Sequence, residues 1–216
     1  MAMHTSTSPH LSLVIPLLNE ADNLLPLYEQ LAASLEQVGR PYEIVFIDDG
    51  SSDASPAILE DIFRRDPARV RVIQFRCNFG KTAALNAGFA HARGQVMITM
   101  DADLQDDPAE IPAMLAKLDE GYDLVAAWRL NRQDPLDKTL PSRIFNSVVS
   151  RVTGVRLHDF NCGFKVYRRT VTDSVKLYGE LHRFIPVLAH QHGFRIAELP
   201  VQHHPRRAGV SKYGAG

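Results

Sequence analysis

The chain has 216 residues, 45% of them hydrophobic and 23% charged, with a formal net charge of −1; this suits one domain with an ordinary core and gives no electrostatic case for a nucleic-acid binder. Cys77 and Cys162 are the only cysteines, too few for a structural zinc site and read as reduced thiols of a cytosolic protein. The first ten residues lack the apolar core of a signal peptide, and no run approaches the ~18 apolar residues of a membrane span, so the chain reads as soluble or at most peripheral.

After a flexible start over residues 1–10, Leu11 to Leu18 predicts a buried strand with Pro16 near its exit. Leu24, Leu27, Leu31 and Leu35 predict a helix over Ala21 to Val38, with Asp22 as its start signal. Tyr42 to Ile47 predicts a second strand, Ser55 to Arg65 a helix with Pro56 in its first turn, and Val70 to Phe75 a third strand. Arg76 to Lys81 reads as a loop, Thr82 to Ala92 as an Ala-rich helix stopped by Gly94, and Val96 to Met100 as a fourth strand. Pro108 to Glu120 predicts a helix and Tyr122 to Trp128 a fifth strand. The rhythm then changes. A polar loop runs from Arg129 to Lys138, an amphipathic helix from Pro141 to Val152, a short strand lies within Asp159 to Arg169, a helix spans Tyr178 to Gly193, and a last strand spans Phe194 to Val201. From Gln202 a basic tail follows.

Apolar strands alternating with helices predict an α/β fold, a mostly parallel central sheet with helices on both faces. Ligands in such sheets bind beyond the carboxyl ends of the strands. There the chain places Asn19-Glu20, Asp48-Asp49 and Asp101-Asp103. If the backbone stays extended past Met100, Asp101, Asp103 and Gln105 project to one side. Two carboxylates so close suit a hard divalent cation, Mg2+ or Mn2+; they also suit a solvated turn capping the helix near Pro108. Asp49-Gly50-Ser51 and Asn78-Phe79-Gly80-Lys81 fit either a nucleotide's surroundings or ordinary turns. Neither GxxxxGK[ST] nor GxGxxG is present, which removes an ordinary NTPase and a dinucleotide site. Arg129 and Arg132 after the fifth strand, and Arg206, Arg207 and Lys212 in the tail, can fork onto phosphate oxygens, although the tail also fits a solvated basic end or a surface drawn to anionic lipid. His203 and His204 lack companions at metal-ligand spacing and read as strand-end or phosphate-proximal residues.

The ordered set IPLLNE, VFIDDGSSD, NFGKTAALNAG, MDADLQDDP, HDFNCGFKVYRR and HHPRRAGVSKY, spanning Leu11 to Tyr213, resembles family 2 glycosyltransferases of the GT-A (Rossmann-like) fold, in the polyprenyl-phosphate branch that includes dolichol-phosphate mannose synthase and bacterial undecaprenyl-phosphate relatives. The resemblance implies a catalytic domain over residues 11–201 and a tail, 202–216, cut short before a membrane-anchoring part. It implies inverting, metal-dependent transfer of one sugar from a nucleotide-diphosphate sugar (UDP-sugar first, GDP-mannose second) to a polyprenyl phosphate, at the cytoplasmic face of the membrane. It assigns Pro16, Glu20 and Asp49 to the nucleoside, with Lys81 nearby, and Asp101, Asp103 and Gln105 to the metal. Arg129, Arg206, Ser211 and Lys212 would close over the phosphates, Ser142 and Arg143 would meet the acceptor phosphate, and Asp159 takes the place of the proposed base. The QxxRW signature of processive synthases is absent, Trp128 being the only tryptophan. A transferase acting on a protein or glycan, and a nucleotide-sugar binding module without turnover, are the alternatives.

Overall fold

The computed structural model describes residues 8–130 and 149–205. In chain order these form β1 (Leu11–Leu17), α1 (Ala21–Val38), β2 (Tyr42–Asp48), α2 (Ser55–Arg65), β3 (Val70–Gln74), α3 (Lys81–His91), β4 (Val96–Thr99), α4 (Ile111–Asp119), β5 (Leu124–Arg129), β6 (Lys165–Arg168), α5 (Arg169–Ser174), α6 (Ile185–Gln191) and β7 (Ile196–Val201). The seven strands make one sheet in the order β3-β2-β1-β4-β6-β5-β7. Every pairing is parallel except those of β6, which runs antiparallel to β4 and β5.

The central strands β1, β2 and β4 are buried on both faces, as a parallel sheet requires, while the edge strands β3 and β7 are only partly buried. Strand alternation divides them: Leu11, Leu13, Ile15 and Leu17 of β1 pack with α1, α2 and α4, whereas Val14 packs with α3, α5 and α6. Turn chemistry sets the ends. Gly39 closes α1 in the left-handed region at φ 68°, and Pro56 occupies the first turn of α2, where no intrahelical N–H is needed.

Several predicted boundaries move for local reasons. The expected helix from Pro108 becomes a 3-10 turn, Pro108–Glu110, followed by α4, whose own Pro112 starts a fresh first turn. The helix expected over Tyr178 to Gly193 shortens to a 3-10 turn at Leu181–Phe184 and α6; Gly179 at φ 54° and Pro186 break the earlier run. The short helix α5, rich in Thr and Ser, had no periodic signal. Of the amphipathic helix expected over Pro141 to Val152, residues 149–152 are helical, as is 153, and residues 141–148 lie outside the described residues.

The sheet also makes a crevice. β1 pairs with β2 through Leu17↔Asp48, but its ladder with β4 stops at Val14↔Thr99. The two central strands therefore part at their carboxyl ends, where connections leave in opposite directions along the sheet, the usual ligand position in such folds. Pro16, which has no N–H to give to a ladder, sits beyond the point where β4 departs.

Candidate active site

The acid loop fills the mouth of this crevice. β4 ends at Thr99, and residues 102–104 form a turn with Leu104 at φ 59°. Asp101 and Asp103 are thus not carried on extended backbone, as the sequence reading supposed. The every-second-residue pattern survives for another reason: Met100, Ala102 and Leu104 all anchor in the core beside α1 and α4, which leaves Asp101, Asp103 and Gln105 on the crevice side. Asp101 accepts from Lys81 Nζ at 2.5 Å. Burial alone would raise its carboxyl pKa, but Lys81, with Arg129 and Lys165 behind it, outweighs that and holds it below the usual carboxylate range. Gln105 N–H donates to Asp103 Oδ1 at 3.2 Å.

A third acid, Asp106, completes the cluster. It is 5% exposed, and burial plus the charges of Asp101 and Asp103, against the pull of Arg129, push its pKa up to about 7. Asp106 pairs in a β-bridge with His203, and His204 N–H donates to Gln105 O at 2.8 Å. The first residues after β7 therefore run directly along the acid loop.

Opposite lies a second carboxylate–cation pair. Arg129, at the end of β5, holds Asp159 through Nε at 2.7 Å and Nη2 at 3.2 Å, a fork geometry that fixes both side chains. Burial disfavours the guanidinium charge, yet Cys162, Asp159 and Asp106 around it outweigh that and keep it protonated. Asp159 is anchored from behind: Glu198 on β7 accepts from the N–H groups of His158 and Asp159 at 2.7 and 3.1 Å. The rest of its loop is tied down by Thr99, whose hydroxyl donates to Gly163 O at 2.7 Å, and by the buried Lys165 ammonium, which donates to the carbonyls of Phe160 and Cys162. Gly163 is where the two halves of the site meet. A Cβ there would lie 2.5 Å from Asp101 Oδ1, so only glycine leaves the acid its place.

On the β1–β2 side, Asp49 is fully buried and accepts the N–H groups of Phe79 and Gly80 at 2.7 and 2.9 Å. It thereby fixes the loop that delivers Lys81 at the start of α3. Glu20 accepts from Asn23 Nδ2 at 2.6 Å, while Asn19, at φ 53°, accepts from the N–H groups of Ser52 and Asp53. The two loops are thus laced together.

Pro16, Glu20, Asp49, Lys81, Asp101, Asp103, Gln105, Arg129 and Asp159 all lie at this end of the sheet. Ser142, Arg143, Arg206, Ser211 and Lys212 lie outside the described residues. The sequence reading missed Asp106, Gly163, Lys165 and Glu198. One of them carried a signal: Lys165 opens a strand that is otherwise apolar at its buried positions. Among the described residues no three His, Cys, Asp or Glu side chains form a ready-made metal cage, and no helix is long and apolar enough to cross a membrane.

The family model described as Glycosyl transferase family 2 matches residues 12–175. The dodecaprenyl-phosphate galacturonate synthase of Rhizobium johnstonii is 43% identical over 211 residues, covering 96% of this chain and 62% of that protein. The undecaprenyl-phosphate 4-deoxy-4-formamido-L-arabinose transferase of Edwardsiella ictaluri is 40% identical over 208 residues, covering 96% and 64%. The chain thus spans less than two thirds of these relatives. Among solved structures, mannosyl-3-phosphoglycerate synthase from Rubrobacter xylanophilus superposes with a TM-score of 0.73 at 18% identity, over 92% of this chain and 68% of the other. Glucosyl-3-phosphoglycerate synthase from Mycobacterium tuberculosis, in complex with Mn2+, UDP and glucosyl-3-phosphoglycerate, gives 0.72 at 18%, over 94% and 73%. The structural likeness establishes the GT-A type of sheet.

Proposed function

The chain belongs to glycosyl transferase family 2, and on that premise we propose that it transfers a single sugar from a nucleotide-diphosphate sugar to a polyprenyl phosphate, with inversion at the anomeric carbon. One observation carries the reading: the crevice between β1 and β4 gathers Asp101 and Asp103 opposite the Arg129–Asp159 pair, all within one buried electrostatic cluster. The two relatives above are named for transfer to dodecaprenyl and undecaprenyl phosphate, which supports the acceptor class. UDP is our first choice of nucleotide, supported by the UDP and Mn2+ complex of the fold relative, with GDP-mannose second.

The residues fit a divalent cation. Three acids share one buried site, which pushes the Asp106 pKa up to about 7, and hard carboxylate oxygens suit Mg2+ or Mn2+. Asp101 and Asp103, with Gln105 beside them, would hold the ion, and bound there it would neutralise the departing diphosphate. Such ions commonly take one or two carboxylates from protein and the rest from substrate phosphates.

The chain's own groups do the remaining work. Lys81 and Arg129 face the diphosphate with fixed positive charge, and Asp49 holds the loop that brings Lys81 there. Arg206, Ser211 and Lys212 belong to the tail whose first residues lie along the acid loop, which supports their closing over the donor. Ser142 and Arg143 are our acceptor-phosphate residues. The attacking group, a phosphate monoester with second pKa near ~6, is already largely ionised at neutral pH, so the site needs orientation more than a base. Asp159, with both oxygens on Arg129, is read as the residue that aims Arg129. The protein would work at the cytoplasmic face of the membrane, where the lipid acceptor lies.

The test is an incubation with UDP-sugars, Mn2+ and undecaprenyl phosphate. Release of UDP together with a glycosylated lipid phosphate is expected. Release of pyrophosphate, transfer to water alone, or binding without turnover overturns the reading.

A further inference from the structure

Lys81, Arg129 and Lys165 all pull on the charge of Asp101, but two of them have their side chains engaged elsewhere. Arg129 is forked onto Asp159, and Lys165 donates to the carbonyls of Phe160 and Cys162. Lys81 is the one that touches the acid, its Nζ 2.5 Å from Asp101 Oδ1. Within this pair the acid is the constrained member. Gly163 stands so close that a Cβ there would lie 2.5 to 2.7 Å from the carboxylate atoms, which closes one side to it. Lys81 is the member able to move. Asp49 clamps the backbone just before it, through the N–H groups of Phe79 and Gly80, while its flexible four-carbon stem is held at the tip by a single ion pair. The Asp101 side chain is 35% exposed, so an ion from solvent can reach the carboxylate. There it meets the ammonium. A dication repels Lys81 twice as strongly as a second ammonium at the same distance would, so ion and ion pair compete for one carboxylate. An ion that arrives on a nucleotide diphosphate meets a different balance. Its phosphate oxygens offer Lys81 another anionic partner in the same site.

We propose that Lys81 makes the acid loop selective for a metal–nucleotide complex over the free metal ion, its ammonium holding Asp101 until diphosphate oxygens take it over. The inference rests on the glycosyl-transfer reading and deepens its donor site. No covalent bond changes: one ion pair, Lys81 with Asp101, is exchanged for two, Asp101 with the metal and Lys81 with the diphosphate. Metal alone must break the first pair with nothing to offer Lys81 in return. Nucleotide alone must draw Lys81 away and leave Asp101 without a cation. Each ligand therefore helps the other to bind, and by the same factor.

Titration calorimetry of unsubstituted and Lys81→Gln protein tests this, first with Mn2+ alone and then with UDP at saturating Mn2+. Removing the ammonium should tighten Mn2+ alone by roughly 10- to 100-fold, the worth of a charged hydrogen bond that no longer has to be broken. It should weaken UDP at saturating Mn2+ by a similar factor. A damaged fold cannot produce the first of these changes. Mn2+ binding that is unchanged or weaker in Lys81→Gln overturns the inference and leaves the transfer reading intact. A second measurement needs no variant: the rate of reductive methylation of Lys81 in unsubstituted protein, read by mass spectrometry of its peptide. Mg2+ alone, at a concentration that calorimetry shows to be saturating, should speed the labelling, and UDP added with Mg2+ should slow it again. A rate that Mg2+ leaves unchanged overturns the inference. Unsubstituted protein that binds neither Mn2+ nor Mn2+·UDP sinks the metal assignment and this inference together, whereas the expected binding without any sugar transfer sinks the transfer reading alone.

Discussion

Replacing Gly163 by Ala should disable the acid loop while sparing the fold. The added Cβ would stand 2.5 Å from Asp101 Oδ1, 2.6 Å from Cγ and 2.7 Å from Oδ2. Those atoms are the end of a side chain, so the carboxylate swings away rather than the backbone breaking. Moving it disturbs its pair with Lys81, now at 2.5 Å. A charged hydrogen bond of this kind contributes roughly 1.5–3 kcal/mol, and losing the same carboxylate as a cation ligand should weaken Mn2+·UDP binding by about 10- to 150-fold. Thermal stability should fall much less. Ala stiffens the unfolded chain, a gain of roughly 0.4–1 kcal/mol that offsets part of the lost pair, so Tm should move by a few degrees at most. Calorimetry of Mn2+·UDP binding beside a thermal melt reads both. Donor affinity unchanged from the unsubstituted protein would reject the proposed role of Asp101 in holding the donor's metal ion.

Asp106 keeps its proton in the metal-free fold up to about pH 7, against roughly 3.9 in the unfolded chain. The fold therefore binds the extra proton, and the stability this adds is full below the unfolded value and lost as pH rises through 7. Asp106→Asn cannot ionise, so its stability should gain on that of the unsubstituted protein as pH rises from about 4 to 7, by on the order of a few kcal/mol, read as a widening gap in Tm; parallel pH profiles would reject the assignment. Far from the site, Glu43 is 1% exposed and accepts from Ser12 Oγ at 2.7 Å, Arg93 N at 2.6 Å and Arg93 Nε at 2.9 Å. Glu43→Ala strands the buried Ser12 hydroxyl and the Arg93 N–H while the Arg93 guanidinium stays in water, and should cost about 1–3 kcal/mol, seen as a drop in Tm without a change in donor affinity at low temperature. Asp103→Ala should abolish the Mn2+ dependence of UDP-sugar binding; chelator-sensitive binding that persists in the variant would count against the metal assignment. Asp159→Asn leaves Arg129 one acceptor and should slow turnover without reshaping its pH profile, whereas a role as base requires the acid limb of that profile to disappear.

The strand–helix alternation, the mostly parallel sheet and the gathering of polar clusters at one edge were legible in the residues, because apolar runs of strand length and helical spacing are local signals. Asp101 and Asp103 stood out as acids at a strand end and Asp159 through the family resemblance, but their neighbours did not. Asp106 lies within the same stretch and reads as one more turn residue; it becomes unusual only when the fold buries it with two other acids and sets His203 across from it. Glu198 is one polar residue in a terminal strand until β7, paired parallel to β5, brings it under the backbone of His158 and Asp159.

The sequence alone determined the alternation of strands and most helices, α5 excepted, and which strands are followed by carboxylates, since both follow from short-range patterning. Tertiary structure alone decided that Gly163 abuts Asp101, that Arg129 clasps Asp159 and that Lys165 lies buried next to the acid loop. Those contacts join residues 30 to 64 positions apart, and their distances are set by strand order and register. The antiparallel insertion of β6 between β4 and β5 is the step that brings the second half of the chain to the crevice opened by the first.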